Sequence, residues 1–271
     1  MRARYALIAD DLTGALDAGA GFVSSGLRAA LPFSGEPGDV PDADVVLINT
    51  ESRERSAAEA AERARGAAER LKAAGIDRAY KKMDSVLRGH PGPELGAVLD
   101  VFRGRALVAP AFPAQGRVTR GGVQYAHGAP VEPFGGFLRD ALEGAAARAD
   151  VRDAETDAEL ARIAHDAAGN AAYRVWCGTA GLAKHVPTAL NLTPSGELPP
   201  LPTARRVYVI AGTGHAATNA QLDALRDAHL PDVEILVEGR AYWSRGAQPE
   251  AVYAAIESAA SRLPLGERIG L

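Results

Sequence analysis

The sequence predicts an α/β protein in which largely parallel sheet is flanked by helices. Three observations predict it. Short β-prone runs recur along the 271 residues and alternate with helix-like segments. Several of these runs are almost continuously apolar, as strands covered on both faces by helices must be. The helix-like segments also carry start and stop signals. Alternation of this kind calls for right-handed crossovers between parallel strands.

In chain order, Arg4–Ala9 reads as the first strand, ended by Asp10 and Asp11 and followed by a helix for which Thr13 can serve as a cap. Leu27–Phe33 and Asp44–Thr50 follow as strands. Ser56 and Glu59 have capping-box spacing ahead of a long Ala/Glu/Arg helix that Gly75 closes. Arg78–Asp84 and Arg105–Ala111 are the next strands. The stretch from Gly116 to Val131, with Gly121-Gly122 and His127-Gly128 inside it, breaks the rhythm and reads as a hairpin or extended loop. Thr156 and Glu159 repeat the capping box, with Gly169 as the stop. Tyr173–Cys177, Arg205–Ala211 and Val233–Val237 are the remaining strands. Pro249 suits the first turn of a last helix running to about Leu263. The Pro/Ser/Thr/Gly-rich run Leu192–Thr203 is the best domain boundary, giving a domain over 1–200 and a partial second domain over 205–271.

Composition excludes several function classes. Lys+Arg 30 against Asp+Glu 34 gives a charge of -4, which offers nucleic acid or an anionic membrane no electrostatic footing. The single cysteine, Cys177, allows no internal disulfide. No apolar stretch approaches the roughly 20 residues that span a bilayer. Asp10 and Asp11 interrupt the opening apolar run too early for a signal peptide. A cytoplasmic protein is expected. The histidines lack metal-ligand spacing, so no protein-held metal is expected.

Ligands of open α/β sheets bind beyond the carboxyl ends of the strands, so the polar residues there are the candidates. The first strand ends in Asp10-Asp11-Leu12-Thr13-Gly14. Adjacent carboxylates there are costly unless they meet a cation, a hydroxyl or a positive side chain. They could orient a sugar hydroxyl or take its proton, or one could merely cap the helix. The third strand ends in Asn49-Thr50-Glu51-Ser52-Arg53, where Arg53 could grip a carboxylate or simply be solvated. The fourth ends in Lys81-Lys82-Met83-Asp84-Ser85-Val86-Leu87-Arg88-Gly89-His90. Alternation puts Lys82 and Asp84 on one face, able to meet a ligand's carboxylate and hydroxyl or to pair with each other. Gln115 and Arg117 follow the fifth strand, in a contact or an architectural role. Cys177 reads as a buried apolar residue. The glycine-containing turns after Cys177 and after Ala211 suit phosphate, weakly on their own.

These runs, in order and at matching spacing, resemble the four-carbon acid sugar kinases, which phosphorylate threonate, erythronate and their oxo derivatives with ATP. The matching segments are Ile8–Ala15 with Asp17 and Gly19, Asn49–Arg53, Lys81–Gly89, Ala109–Pro113 with Gly116-Arg117, and Gly178–Ala183. The resemblance covers about residues 3–230. It implies an N-terminal sugar-acid-binding domain and a C-terminal nucleotide-binding domain. By resemblance, Asp10, Asp11, Asn49, Arg53, Lys82, Met83, Asp84, Ser85 and Arg88 contact the acid, and Asp11 or Asp84 serves as the base. Gly212, Thr213, His215 and Thr218 meet the nucleotide, with His215 where a serine is expected. ATP and Mg²⁺ are the implied cofactors and a small sugar acid the implied substrate. Glycine-rich turns of the Gly-Gly-Glu/Asp-Thr type, which hold the ATP phosphates in relatives, do not precede Leu271. The alternative reading is therefore a truncated, catalytically impaired sugar-acid-binding protein that does not use ATP alone. A sheet of few strands after residue 205 would leave an edge suited to self-association as a homodimer.

Overall fold

Alternate residues of the first strand fill two separate cores. Tyr5, Leu7 and Ala9 of β1 (Tyr5–Ala9) turn to one side and Ala6 and Ile8 to the other, all of them fully buried. Such a strand needs a helical layer on each face, and it has both. The computed structural model describes residues 5–32, 41–196, 207–208, 216–227 and 233–234. The chain divides into two compact units, Met1–Pro199 and Pro200–Leu271.

In the first unit β1 leads to α1 (Leu12–Val23), β2 (Ala29–Ala30), β3 (Val45–Asn49), α2 (Ala57–Ala73), β4 (Ala79–Lys82), α3 (Pro91–Phe102) and β5 (Arg105–Ala109). A small antiparallel sheet follows, β6 (Arg117–Arg120), β7 (Val123–Ala126) and β8 (Ala129–Pro130). Next come α4 (Leu138–Leu142), β9 (Ala149–Val151), α5 (Asp157–Ala167), β10 (Tyr173–Gly178), α6 (Ala180–Ala183) and α7 (Val186–Ala189). The main sheet has the order β2-β3-β1-β4-β10-β5-β9, and every neighbouring pair is parallel.

One core holds α1, α5, α6 and α7 against the sheet through Ala15, Phe22, Leu160, Leu182 and Val186. The opposite core holds α2, α3 and α4 through Ala64, Leu71, Leu95, Phe102 and Leu138. Alanine does much of this packing: α2 presents Ala60, Ala64, Ala67 and Ala68 as buried residues, and short side chains let its backbone approach its neighbours. Both capping boxes form, Ser56 with Glu59 and Thr156 with Glu159.

The topology fixes where a ligand can bind. β1 lies between β3 and β4, the strands that follow one another in the chain, so the strand order reverses at β1. A crevice outside the carboxyl ends of the strands forms at such a reversal. Asp10 and Asp11 stand there.

The predicted parallel α/β class is observed, with differences in detail. The segment 116–131 contains the expected hairpin, β6 to β7 across Gly121-Gly122, which β8 extends into a three-stranded sheet. An edge strand, β9, and a twelve-residue helix, α3, appear where no element was expected. The second predicted strand contracts to Ala29–Ala30. In the second unit, β11 (Val207–Tyr208) pairs in parallel with β12 (Val233–Glu234), and α8 (Ala216–Asp227) lies between them in sequence, so one βαβ unit is described. The helix expected from Pro249 lies outside the described residues.

Candidate functional site

Three strand ends converge at the reversal. β1 delivers Asp10 and Asp11, β3 delivers the turn from Asn49 to Arg53, and β4 delivers Lys82 to Arg88. The centre of the cluster is Arg53, whose side chain is 13% exposed. Its Nε and Nη2 donate to the two carboxylate oxygens of Asp10 at 2.7 and 3.0 Å. Its Nη1 and Nη2 donate to the two of Asp11 at 2.7 and 2.8 Å. Asp84 Oδ2 lies 3.7 Å from Nη2. The positive side chain that the adjacent aspartates require is therefore supplied internally. Burial works against the guanidinium's charge, but its hydrogen bonds to Asp10 and the fields of Asp10, Asp11 and Asp84 hold its pKa above the ordinary value.

The two aspartates differ in access. Asp10 is 3% exposed, whereas the Asp11 side chain is 27% exposed. Asp11 is also the N-cap of α1, its Oδ1 accepting from Gly14 N at 3.0 Å. A Cβ at Gly14 would lie 2.4 Å from that oxygen and 3.1 Å from Lys82 Nζ, so the close approach of α1 to both charged groups needs glycine there.

Alternation along β4 behaves as the sequence indicates. Lys81 and Met83 turn toward the α2–α3 layer. Lys81 Nζ pairs with Glu94 Oε2 at 2.7 Å, both side chains 2% exposed, and Met83 packs in the core with its sulfur 3.7 Å from Cys177 Sγ. The resemblance places Met83 among the acid-binding residues, but its side chain is committed to this core. Only its backbone carbonyl reaches the site side, accepting from Lys82 Nζ at 3.0 Å. Lys82 is buried; desolvation lowers its pKa, opposed by Asp10, Asp84, Asp11 and Asp17 in that order. Asp17, on α1, is raised by its own partial burial and by Asp11, with Lys82 acting the other way.

Asp84 organises the loop after β4. Its Oδ1 accepts from the backbone N–H of Val86 at 3.0 Å and of Arg88 at 3.2 Å, and its Oδ2 accepts from Arg88 Nη2 at 2.6 Å. Burial opposes its charge, but these bonds hold its pKa below the usual value. Arg88 is 63% exposed on its side chain, so most of its guanidinium faces outward. Ser85 sits half-buried in the same loop. Asn49 Oδ1 accepts from Glu51 N at 3.1 Å and so shapes its own turn.

The structure therefore brings Asp10, Asp11, Arg53, Lys82, Asp84 and Arg88 together, with Asn49 and Ser85 in the bordering loops. Gly212, Thr213 and His215 lie outside the described residues, and Thr218 lies in the first turn of α8. Sequence reasoning missed the layer beneath. Glu94 bonds Lys81 and also accepts from Ser52 Oγ, which lies 2.7 Å from Thr50 Oγ1, itself donating to Ala9 O at 2.9 Å. The signal for Glu94 was its place in the first turn after Pro91 and Pro93, a helix start. Its burial was not legible.

The Sugar-binding N-terminal domain family matches residues 5–135. The chain is 32% identical to a D-threonate kinase of Cupriavidus necator over 82% of its own length and 63% of the relative's. It is 38% identical to a D-erythronate kinase of Heliobacterium modesticaldum over 46% of this chain and 30% of that one. The chain belongs to the four-carbon acid sugar kinase family. A solved structure from Bordetella bronchiseptica, a domain of unknown function with bound citrate in a domain-swapped dimer, is 31% identical and superposes with a TM-score of 0.63. That match covers 84% of this chain and 66% of the other. The chain thus spans less than two thirds of the length of these members and neighbours of the family. Among the described residues no helix is long and apolar enough to cross a membrane.

Proposed function

We propose that the first unit binds a four-carbon sugar acid for ATP-dependent phosphorylation on one of its hydroxyl groups. The observation that carries this reading is the Asp10–Asp11–Arg53–Lys82–Asp84 cluster at the strand-order reversal, where acceptors for hydroxyls and donors for a carboxylate stand side by side. The names of the relatives, threonate and erythronate kinases, and the citrate bound by the B. bronchiseptica protein support a small hydroxy acid as the ligand.

The geometry also suggests a division of labour. Asp10, paired with Arg53 and almost inaccessible, positions the arginine. Asp11, more exposed and with one lone pair left on Oδ2, orients the acceptor hydroxyl and draws its proton. Because the Arg53 fork is spent on two aspartates, the acid's carboxylate is better served by Lys82 Nζ, hydrogen-bonded to one carbonyl, and by the outward face of Arg88. Asp84 holds Arg88 and the loop in place.

ATP would supply the phosphoryl group, and Gly212, Thr213, His215 and Thr218 remain the candidates for holding it. Among the described residues no set of three or more His, Cys, Asp or Glu is arranged for a metal. The carboxylates at the site are occupied by Arg53 and Arg88, so Mg²⁺ would arrive on the nucleotide phosphates. A second reading, acid binding without turnover, is favoured by one fact: every residue of the described cluster belongs to Met1–Pro199. A cytoplasmic homodimer completes the proposal, the dimer by analogy with the B. bronchiseptica structure.

Isothermal titration with D-threonate, D-erythronate and a 3-oxo-tetronate, followed by ATP–Mg²⁺ and an assay for ADP release, tests both readings. Binding of an acid with ADP release supports the kinase. Binding without release supports the second reading, and no binding of any acid removes both.

A further inference from the structure

The small antiparallel sheet β6-β7-β8 interrupts the βα rhythm, and the proposed chemistry makes no use of it. At its centre lies Gln124 of β7, which is completely buried. Its side-chain amide is satisfied on both ends. Nε2 donates to the carbonyl of Ser85 at 3.0 Å and to that of Pro110 at 3.2 Å. Oε1 accepts from Thr119 Oγ1 of β6 at 2.7 Å. Two backbone carbonyls demand a donor group with two hydrogens, so the orientation of the amide is fixed by its partners.

These carbonyls belong to the loops that leave two different strands of the main sheet, β4 and β5. Ser85 lies between Asp84 and the N–H groups of Val86 and Arg88 that Asp84 accepts. The main chain of Gln124 is equally engaged. Its N–H donates to Gly136 O at 2.8 Å, and its carbonyl accepts from Val131 N at 3.1 Å. A Cβ at Gly136 would lie 2.4 Å from the Gln124 carbonyl, so that loop fits against β7 only as glycine. Thr119, which orients the amide, is itself completely buried and bonded through both backbone groups to Ala154, at 2.9 and 3.1 Å. The side chain is thus held from the small sheet and reaches across to the loop that carries Asp84, Ser85 and Arg88.

We propose that Gln124 is a positioning residue: through the Ser85 and Pro110 carbonyls it fixes the Asp84–Arg88 loop in its ligand-ready shape, and the small sheet exists in part to hold it. Gln124→Met keeps the length and apolar volume of the side chain and removes both donors; Thr119→Val removes only the hydroxyl that orients the amide. In the full chain, amide hydrogen exchange of Val86 and Arg88 should quicken at least tenfold in the Gln124→Met protein, and by a smaller factor in Thr119→Val. Exchange in β1 and α2 should stay unchanged. Affinity for the tetronate that the wild type binds should fall at least tenfold in Gln124→Met. Unchanged loop exchange, a uniform rise across the whole sheet, or full tetronate affinity despite a loosened loop would each overturn the proposal. The affinity measurement rests on the sugar-acid reading, whereas the exchange measurement does not. A wild type that binds no tetronate removes that reading and leaves exchange to decide the role of Gln124. Should Gln124→Met fail to fold, the Thr119→Val exchange pattern decides it.

Discussion

Arg53 shows how one side chain can convert a liability into a site. Two adjacent carboxylates at the end of a buried strand would repel each other, yet the planar guanidinium reaches both with paired hydrogen bonds. Lysine has no such fork, so Arg53→Lys should weaken tetronate binding at least tenfold by titration. Arg53→Ala should cost about 3–5 kcal/mol of stability in denaturant melts, because it leaves Asp10 buried without its counter-charge. Asp84 supplies a pH prediction. Its folded pKa is lowered from 3.8, so its contribution to stability is complete above that value and is lost as pH falls through the folded pKa. Asp84→Asn should therefore flatten the fall in melting temperature on the acid side of pH 4. An identical acid profile in variant and wild type would count against this assignment.

At the scale of elements, helix starts were the most legible feature because their signals are local. Ser56 and Thr156 each bond the N–H three residues on, and Glu59 and Glu159 return the bond. Ser56→Ala should lower stability by about 1 kcal/mol in urea melts. Contacts that depend on the whole sheet left no such trace. β9 pairs through Ala149–Val151, a sequence without strand character, because β5 offers it an open edge. Gln124 and Glu94 look like ordinary surface residues in the sequence, and only long-range packing buries them. Lys82 and Asp84 could be placed on one face because strand alternation is a local rule, but what each would bond was decided by α1, Arg53 and Arg88. Gly178 is a further case. A Cβ there would lie 2.4 Å from the Ala109 carbonyl on the adjacent strand. Gly178→Ala should separate β10 from β5 and destabilise the fold by about 1–3 kcal/mol, measured by thermal melting.

For the molecule as a whole, the described acid-binding cluster is confined to Met1–Pro199. That segment, produced alone, should fold and keep the tetronate response of the full chain while giving no thermal shift with ATP–Mg²⁺. A nucleotide response from that segment would show that the division of roles between the units is wrong. The parallel sheet raises a separate difficulty, since strands apolar on both faces carry little to fix how they slide past their neighbours. The order of polar and apolar residues through β4 and the turn after it answers it. If β4 docked one residue out of step, Tyr80 or Lys82 would stand opposite Glu94 in place of Lys81, and Asp84 would turn into the apolar layer that now receives Met83, at a penalty of several kcal/mol. A second lysine could still satisfy Glu94, so the buried Asp84 is what makes the misaligned sheet inaccessible. It thereby sets the phase in which β4 delivers Lys82 and Asp84 to the side where Arg53 waits.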